Sequence, residues 1–144
     1  MEDKQSYANH TRWYPLVHFI TVPILILNLG YQVFRLYQER SLDRGALVVM
    51  SVAFMLITLS ARRQSLKAQD RVIRLEERLR YKEILSPELA EKAANMMTGR
   101  IIALRFASDG ELAGLVSQVL DGRLNTAKEI KLAIKDWRGD YHRV

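Results

Sequence analysis

Histidine is the residue of this sequence best suited to bind a metal ion or a haem iron, because a neutral imidazole nitrogen coordinates both. Two of the three histidines, His10 and His18, lie in the stretch NHTRWYPLVHF at residues 9–19. The chain has no cysteine, which excludes thiolate ligands and disulfides. Only His18 adjoins the apolar segment that follows, and one imidazole does not complete a protein metal site. We therefore expect no metal and no cofactor; a haem or chlorin ligand at His18 is the alternative.

Polar side chains recur at helical spacing after this histidine. One face of a helix carries His18, Thr21, Asn28 and Gln32. In the next apolar segment Ser51 and Thr58, seven residues apart, also share a face. A polar side chain that faces lipid lacks hydrogen-bond partners, so such faces turn toward protein. We predict that Asn28 pairs with Ser51. Thr21 is expected to pair likewise with Thr58. A proton path is the alternative, but no acidic residue lies within either segment.

Basic side chains are spaced along the last predicted helix. They are Lys128, Lys131, Lys135 and Arg138. Two short helices of which the second is basic resemble a DNA-binding helix-turn-helix in outline. A recognition helix usually offers Asn, Gln, Ser or Thr to base edges, whereas this face offers lysines. We expect the basic face to meet anionic lipid or solvent, and we do not expect a nucleic-acid partner.

Two apolar segments, at about 15–36 and 45–61, position the polar stripe. Neither 15–34 nor 46–61 contains a charged residue. Because about 20 apolar residues cross about 30 Å of hydrocarbon, we predict two transmembrane helices. The short link between them makes the pair an antiparallel hairpin spanning residues 15–61. A chain of 144 residues is too small to bury two such helices, which argues against a soluble helical hairpin.

The distribution of lysine and arginine predicts how the hairpin is oriented. Seven of these residues lie within 62–80, and the N-terminus adds Lys4 and Arg12. Since cytoplasmic flanks carry the excess of basic residues, we expect both termini in the cytoplasm and the link outside. Residues 1–14 then form an interfacial segment. In it, Trp13 and Tyr14 lie at the headgroup level and Arg12 reaches the lipid phosphates.

The chain after the second span is predicted to be helical throughout. Residues 62–85 contain no helix breaker and extend the span into the cytoplasm. Their apolar seam consists of Ala68, Val72, Leu75 and Leu79, and Glu76 is predicted to pair with Arg80 by the i,i+4 rule. This spacing fits a helix with one face on its own domain, and it equally fits a short parallel coiled coil in a homodimer.

Residues 86–144 contain start signals for four short helices, at Ser86, Thr98, Ser108 and Thr126. Two capping boxes are predicted, of Ser108 with Glu111 and of Thr126 with Glu129. The last of these helices is expected to continue through Trp137, and the residues from there to Val144 are expected to be ordered against their own domain or a partner. Together these elements form a small cytoplasmic α-helical domain. The apolar residues expected to form its core include Leu112, Leu115, Val116 and Val119, then Ile130, Ala133, Ile134 and Trp137. The predicted fold is therefore all-α: a transmembrane hairpin, a long cytoplasmic helix and a small helical domain.

Four stretches spread over nearly the whole chain carry a family resemblance. They are NHTRWYPLVHF, LKAQDRVIRLEERLR, ALRFASDGELAGL and AIKDWRGDYHRV. Together they resemble a family of small bacterial membrane proteins of unknown function. The resemblance implies a bacterial inner-membrane protein with two spans and a cytoplasmic helical tail, and it implies no activity or ligand. In that family a second histidine often stands beside the position of His18. This chain has Val17 there, which weakens a ligand role for His18.

The sequence contains none of the common catalytic motifs. There is no P-loop, no glycine-rich dinucleotide turn, no HExxH and no nucleophile elbow. We therefore expect a non-enzymatic membrane protein, an accessory or scaffold subunit or an assembly factor of a larger membrane complex. Its expected partners are the lipid bilayer and either other membrane-protein subunits or a second copy. The alternative is a membrane-tethered regulator whose basic domain binds anionic lipid or nucleic acid.

Overall fold

The structure is a computed structural model that describes residues 6–7 and 14–140. Within these residues, a π-helical turn at Leu16–Thr21 precedes six α-helices. They are α1 (Val22–Gln38), α2 (Leu42–Ile84), α3 (Pro87–Ala94), α4 (Thr98–Leu104), α5 (Asp109–Leu120) and α6 (Ala127–Ala133). The extended structure in this part of the chain is one isolated antiparallel bridge between Ala107 and Trp137. The prediction of an all-α fold is therefore confirmed for the described residues.

The described residues form two compact units. Residues 14–66 make up the first unit, and residues 67–140 with 6–7 make up the second unit; α2 contributes to both. Two helices are long and apolar enough to cross a membrane, Leu16–Gln38 and Leu42–Ile84. No side chain of the π-helical turn or of α1 is buried. Since the core helix of a soluble protein buries its apolar side chains, this exposure favours contact with lipid.

Pro23 makes the start of the first long helix irregular. Its ring has no amide hydrogen to donate to the preceding turn, which disturbs the regular helical pattern there. The structure places a π-helical turn directly before it. In this turn Thr21 Oγ1 donates to Leu16 O, five residues earlier, over 3.0 Å. The irregularity therefore lies at the N-terminal end of the first apolar helix.

The core of the second unit lies between the C-terminal part of α2 and helices α3 to α6. Its buried apolar side chains are Tyr81, Leu85, Ala90, Ala93, Met96, Ile101, Ala103, Leu104, Phe106, Ala107, Leu112, Leu115, Val116, Val119, Ile130 and Ile134. They include all four residues of α5 that were predicted to face the core, which are Leu112, Leu115, Val116 and Val119. Helical periodicity therefore predicted the inner face of α5 correctly.

The apolar seam predicted along α2 does not face this core. Val72, Leu75 and Leu79 are 54%, 61% and 55% exposed. Ile73 and Tyr81, on the opposite face of α2, are buried instead. The interpretation of the seam as the face that packs on its own domain is therefore wrong. The seam has no partner within the described residues.

Of the two predicted capping boxes, one forms. Thr126 accepts a hydrogen bond from the Glu129 amide, and the Glu129 carboxylate accepts one from the Thr126 amide. The box predicted for Ser108 and Glu111 is wrong, because the Ser108 side chain makes no cap hydrogen bond. The Glu111 carboxylate instead accepts hydrogen bonds from the backbone amides of residues 135–136, over 3.1 and 3.2 Å.

The segment that follows α6 is extended. Helix α6 ends at Ala133, and the next residue has a ψ of 123°. Two backbone hydrogen bonds, of 3.0 and 2.7 Å, then join residues 136–138 to residues 106–108. The predicted continuation of the last helix through Trp137 is therefore wrong. Pairing with residues 106–108 satisfies backbone groups that another helical turn would have satisfied within the helix.

Candidate functional site

A polar recess lies between α2 and the C-terminal segment of the second unit, with a volume of about 360 Å³. Three carboxylates and three guanidinium groups line it. They belong to Glu76, Glu77, Asp140, Arg80, Arg105 and Arg138. The formal charges of these six groups sum to zero.

Arg80 is the central residue of the recess, and its side chain is only 8% exposed. Its Nη2 donates to Ala107 O over 2.7 Å, and its Nε and Nη2 both donate to Asp109 Oδ1, over 2.8 and 2.6 Å. Its Nη1 donates to Glu77 Oε2 over 3.2 Å. A planar guanidinium can make several such bonds at fixed angles. Arg80 thereby joins α2 to the connection between α4 and α5.

Glu77 lies one helical turn before Arg80, and its side chain is 6% exposed. Burial raises the pKa of the Glu77 carboxyl above its ordinary value, against the opposing charges of Arg80 and Arg138. Arg138 Nη1 lies 3.7 Å from Glu77 Oε1. Burial also raises the pKa of the Tyr81 hydroxyl, and the charge of Glu77 adds to the rise. That hydroxyl has no hydrogen-bond partner among the described residues.

The raised pKa predicts how Glu77 contributes to stability as pH changes. A carboxyl whose pKa is higher in the folded state stabilises the fold fully below its unfolded pKa, about 4.3. That contribution is lost as pH rises through the folded pKa. We therefore expect the free energy of unfolding of Glu77→Gln, minus that of the natural chain, to become more positive as pH rises over this interval and then to level off. Urea titrations of the full chain in detergent at several pH values measure the difference.

The matched control for this pH series is Glu83→Gln, because Glu83 is exposed on the same helix. Its difference from the natural chain should not reproduce the profile of the Glu77 variant. A Glu77→Gln difference that is constant with pH, or that changes in the opposite direction, contradicts the assignment.

Side-chain contacts hold the C-terminal segment beside the recess. The rings of Trp137 and Phe106 have centroids 5.0 Å apart and planes inclined at 33°, a tilted arrangement that aromatic pairs favour. Arg105, 9% exposed, places its Nε 3.0 Å from Asp140 Oδ2. The described part of this segment is therefore ordered against its own unit, as predicted. Residues 141–144, which the prediction also covered, lie outside the described residues.

Of the predicted polar stripe, the structure brings Asn28 and Ser51 together. Ser51 Oγ lies 2.8 Å from Asn28 Oδ1 and 2.9 Å from Leu47 O. Its single hydrogen is shared between these two acceptors. With the Asn28 amide turned by 180°, Nδ2 donates to Ser51 and Ser51 donates fully to Leu47. Both arrangements keep the predicted contact.

The predicted pair of Thr21 and Thr58 does not form. Their hydroxyls donate to carbonyls of their own helices, Leu16 O and Phe54 O, over 3.0 and 2.9 Å. Threonine hydroxyls in helices commonly bond to the preceding turn in this way. Gln32 Oε1 is shielded and has no hydrogen-bond partner among the described residues.

The predicted interfacial residues are only partly described. Arg12 and Trp13 lie outside the described residues, while Tyr14 is exposed. The Nδ1 of His18 lies 2.9 Å from Tyr14 O, so an Nδ1–H donates to the carbonyl of the preceding turn. This contact gives His18 a role in the start of the helix.

The predicted basic face is divided between two elements. Lys128 and Lys131 lie on α6, whereas Lys135 and Arg138 lie on the extended segment after it. Lys131 Nζ lies 5.5 Å from the centroid of the Phe106 ring. The prediction of one continuous basic helix face is therefore wrong, because α6 ends before Lys135.

The whole chain is similar to a known protein family. Residues 1–144 match the model of a family of unknown function, DUF6526. The chain belongs to this family. The expected membership in a family of unknown function is thereby confirmed. No curated protein and no solved structure matches the chain significantly.

In this DUF6526 member, sequence reasoning did not find the recess. It paired Arg80 with Glu76 by the i,i+4 rule, whereas Arg80 contacts Glu77 and Asp109. One signal was available: Glu77 and Tyr81 lie four apart on the face opposite the seam. A carboxylate on a face that also carries buried side chains is a candidate for an internal ion pair. Asp109 lies 29 residues after Arg80, so the pattern of residues in α2 does not indicate that it is a partner of Arg80.

Proposed function

We propose that this protein is a non-enzymatic integral protein of the bacterial inner membrane, an accessory or scaffold subunit or an assembly factor of a larger membrane complex. One observation carries the proposal: five of the six charged groups that line the recess form ion pairs with one another. Arg80 meets Glu77 and Asp109, while Arg105 meets Asp140. Groups paired in this way hold helices together, so the second unit offers binding surfaces rather than a reaction centre.

The proposed anchor is an antiparallel transmembrane hairpin of α1 and the first part of α2. The contact between Asn28 and Ser51 supports it, since each contributes a polar group that lipid leaves without a partner. In the link, Arg35 and Arg44 both contact Glu39. These contacts keep the basic groups of the link partly neutralised on the side proposed to be external.

Removal of the Asn28 side chain tests the hairpin. Asn28→Leu should destabilise the association of the two helices by about 0.6–2 kcal/mol, because Ser51 loses its partner on the other helix. Leu27→Ala is the control, since Leu27 is 73% exposed and should have a smaller effect. Energy transfer between labels on the two helices, followed through an SDS titration of the full chain, measures the association.

A double-mutant cycle with Ser51→Ala identifies the interaction. If the two residues act through their shared hydrogen bond, the effects of Asn28→Leu and Ser51→Ala are not additive. Equal effects of Asn28→Leu and Leu27→Ala, or strictly additive effects in the cycle, exclude this contact as the link between the helices.

Reporter fusions test the proposed topology. A reporter fused after Val144 should be active only if it folds in the cytoplasm, and one inserted near Ser41 only if it folds outside. Extraction of the full chain at alkaline pH should leave it in the membrane fraction. An external C-terminus, or release by alkali, is incompatible with the proposed anchor.

Purification at native abundance in mild detergent tests the scaffold role. We expect a membrane protein of another sequence to co-elute in fixed stoichiometry with the full chain. A variant truncated after Lys135 keeps both apolar helices but loses the contacts of the C-terminal segment, so it should lose a partner bound to the second unit. If the full chain elutes without another protein in fixed proportion, the scaffold role fails while the anchor stands.

The alternative of a tethered regulator has less support. This role was predicted from four basic residues on one face of the last helix, Lys128, Lys131, Lys135 and Arg138. The structure divides these four residues between α6 and the extended segment. We therefore prefer the scaffold role.

A further inference from the structure

The exposed seam of α2 is an apolar surface of the second unit that faces away from the core. Val72, Leu75 and Leu79 form a continuous apolar strip, with Ala68 one turn before it, on the face of α2 opposite the core. Leu75 and Leu79 also line a groove of about 620 Å³ between α2 and α3. Apolar side chains repeated at intervals of four and three residues are the signature of a helix that packs against another helix.

We propose that the seam binds the same seam of a second copy of this chain, as a parallel, in-register pair of α2 helices. The spacing places Ala68 and Leu75 at d positions of a heptad, and Val72 and Leu79 at a positions. Val72 at a with Leu75 at d follows the pattern, a β-branched residue at a and leucine at d, that favours two strands. The heptad pattern therefore favours the α2 helix of one second copy as the partner of the seam.

The charges that flank the seam select the orientation of the second copy. Arg71 and Arg78 occupy g positions on one side, and Glu76 and Glu83 occupy e positions on the other side. In a parallel pair each g residue lies next to the e residue five positions later on the other helix. Arg71 then meets Glu76 of the second copy. Arg78 meets Glu83 in the same way.

An antiparallel pair has the opposite electrostatics. It places g beside g and e beside e, so that arginine faces arginine and glutamate faces glutamate. Arg71, Glu76 and Glu83 are exposed and form no ion pair within the described residues. Arg78 donates through Nε and Nη2 to Ala94 O, which orients its guanidinium beside the groove. These four side chains therefore match a parallel copy of the same sequence.

This inference goes beyond the proposed scaffold role and does not depend on it. Two copies inserted in one membrane with the same topology have α2 helices that point the same way, so the pair is compatible with the proposed anchor. If no other protein co-elutes with the chain, the scaffold role fails and the pair is unaffected. The two proposals can therefore fail separately.

Single cysteines test the register, because the natural chain contains no cysteine. Ala68→Cys, Leu75→Cys and Lys82→Cys place a thiol at three successive d positions of the full chain, oxidised in its own membrane. A parallel, in-register pair brings each thiol next to its own copy, so all three variants should form disulfide-linked dimers. The control is Ser117→Cys, exposed on α5, and the α2 variants should react at least about tenfold faster than it.

Charge reversal tests the orientation. In the Leu75→Cys background, Arg71→Glu should slow disulfide formation severalfold, and Arg71→Glu combined with Glu76→Arg should restore the rate. Residues 71 and 76 are five apart and do not face each other within one helix, so restoration requires two copies. The proposal is overturned if only one of the three d positions cross-links, if none exceeds Ser117→Cys, or if the double reversal does not restore the rate. Adducts to a protein of different mass in place of the dimer overturn it as well.

Discussion

Replacing Arg80 by methionine should reduce the free energy of unfolding of the second unit by about 3–5 kcal/mol, the cost of leaving one member of a buried ion pair alone. The substitution removes the hydrogen bonds from the guanidinium to Ala107 O and to Asp109. It leaves Glu77 buried with Arg138 at 3.7 Å as its nearest cation. A urea titration of the full chain in detergent micelles measures the loss, because the apolar helices stay folded in the micelle.

The pH dependence of this loss of stability separates the contribution of the unpaired Glu77 charge from that of the lost side-chain packing. Protonation of Glu77 removes the unpaired charge, so Arg80→Met should cost less stability in acid than at neutral pH. Arg80→Lys keeps one positive charge but not the planar fork, and its cost should lie between those of the natural residue and methionine. Arg123→Met, at an exposed position, is the control and should stay within about 0.5 kcal/mol. A loss for Arg80→Met no larger than this control contradicts a stabilising role for the recess.

Truncation after Lys135 should destabilise the second unit by about 3 kcal/mol or more, since loss of a packed tryptophan alone costs that much. It removes the Trp137 ring from Phe106, and it removes Asp140 from Arg105. About 3 kcal/mol lowers the ratio of folded to unfolded molecules by more than about a hundredfold. Limited proteolysis in membranes should show that the second unit of the truncated chain is cleaved faster than that of the full chain, while membrane insertion is unchanged.

The control for this truncation is a chain that ends at Asp140. It keeps every contact of the C-terminal segment that the structure describes, so its second unit should resist protease as the natural chain does. Trp137→Ala removes the indole ring and keeps the rest of the segment. It should cause most of the loss of stability that the truncation causes. If truncation after Lys135 leaves protease resistance unchanged, the contacts of residues 136–140 do not stabilise the unit.

Local signals determined most of the helical elements from the sequence. The start of α3 at Pro87 and the capping box of Thr126 follow from rules that involve residues no more than four apart. The end of α5 near Gly122 follows in the same way, because a φ of 75° there suits glycine. Two apolar helices of membrane-spanning length follow from composition alone. Such features need no knowledge of what lies across the core.

The contact of Asn28 with Ser51 could also be predicted from the sequence. Two polar residues in otherwise apolar segments have few partners, and the short link restricts which residues come level. The same reasoning failed for Thr21 and Thr58. A threonine hydroxyl can bond to its own helix and so needs no partner on another one.

Tertiary structure alone decided where the charged side chains of the second unit lie. Three carboxylates lie within a helical turn of Arg80, those of Glu76, Glu77 and Glu83, and the i,i+4 rule selected Glu76, whereas Arg80 contacts Glu77. The packing of α5 brings Asp109 to Arg80 on the buried face of α2. A buried guanidinium is stable only where several acceptors surround it. Those acceptors come from parts of the chain 27 and 29 residues away.

The end of α6 has the same explanation. Helical periodicity continues through Trp137 in the sequence, yet the helix stops at Ala133. The residues that end it are distant: Glu111 accepts from the amides at 135–136, and residues 106–108 pair with 136–138. The sequence by itself determined which segments are helical and which are apolar enough to span a membrane, because short-range rules govern both. Only the tertiary structure decided the buried ion pairs and the course of the C-terminal segment, because each depends on polar groups that folding brings together from remote positions.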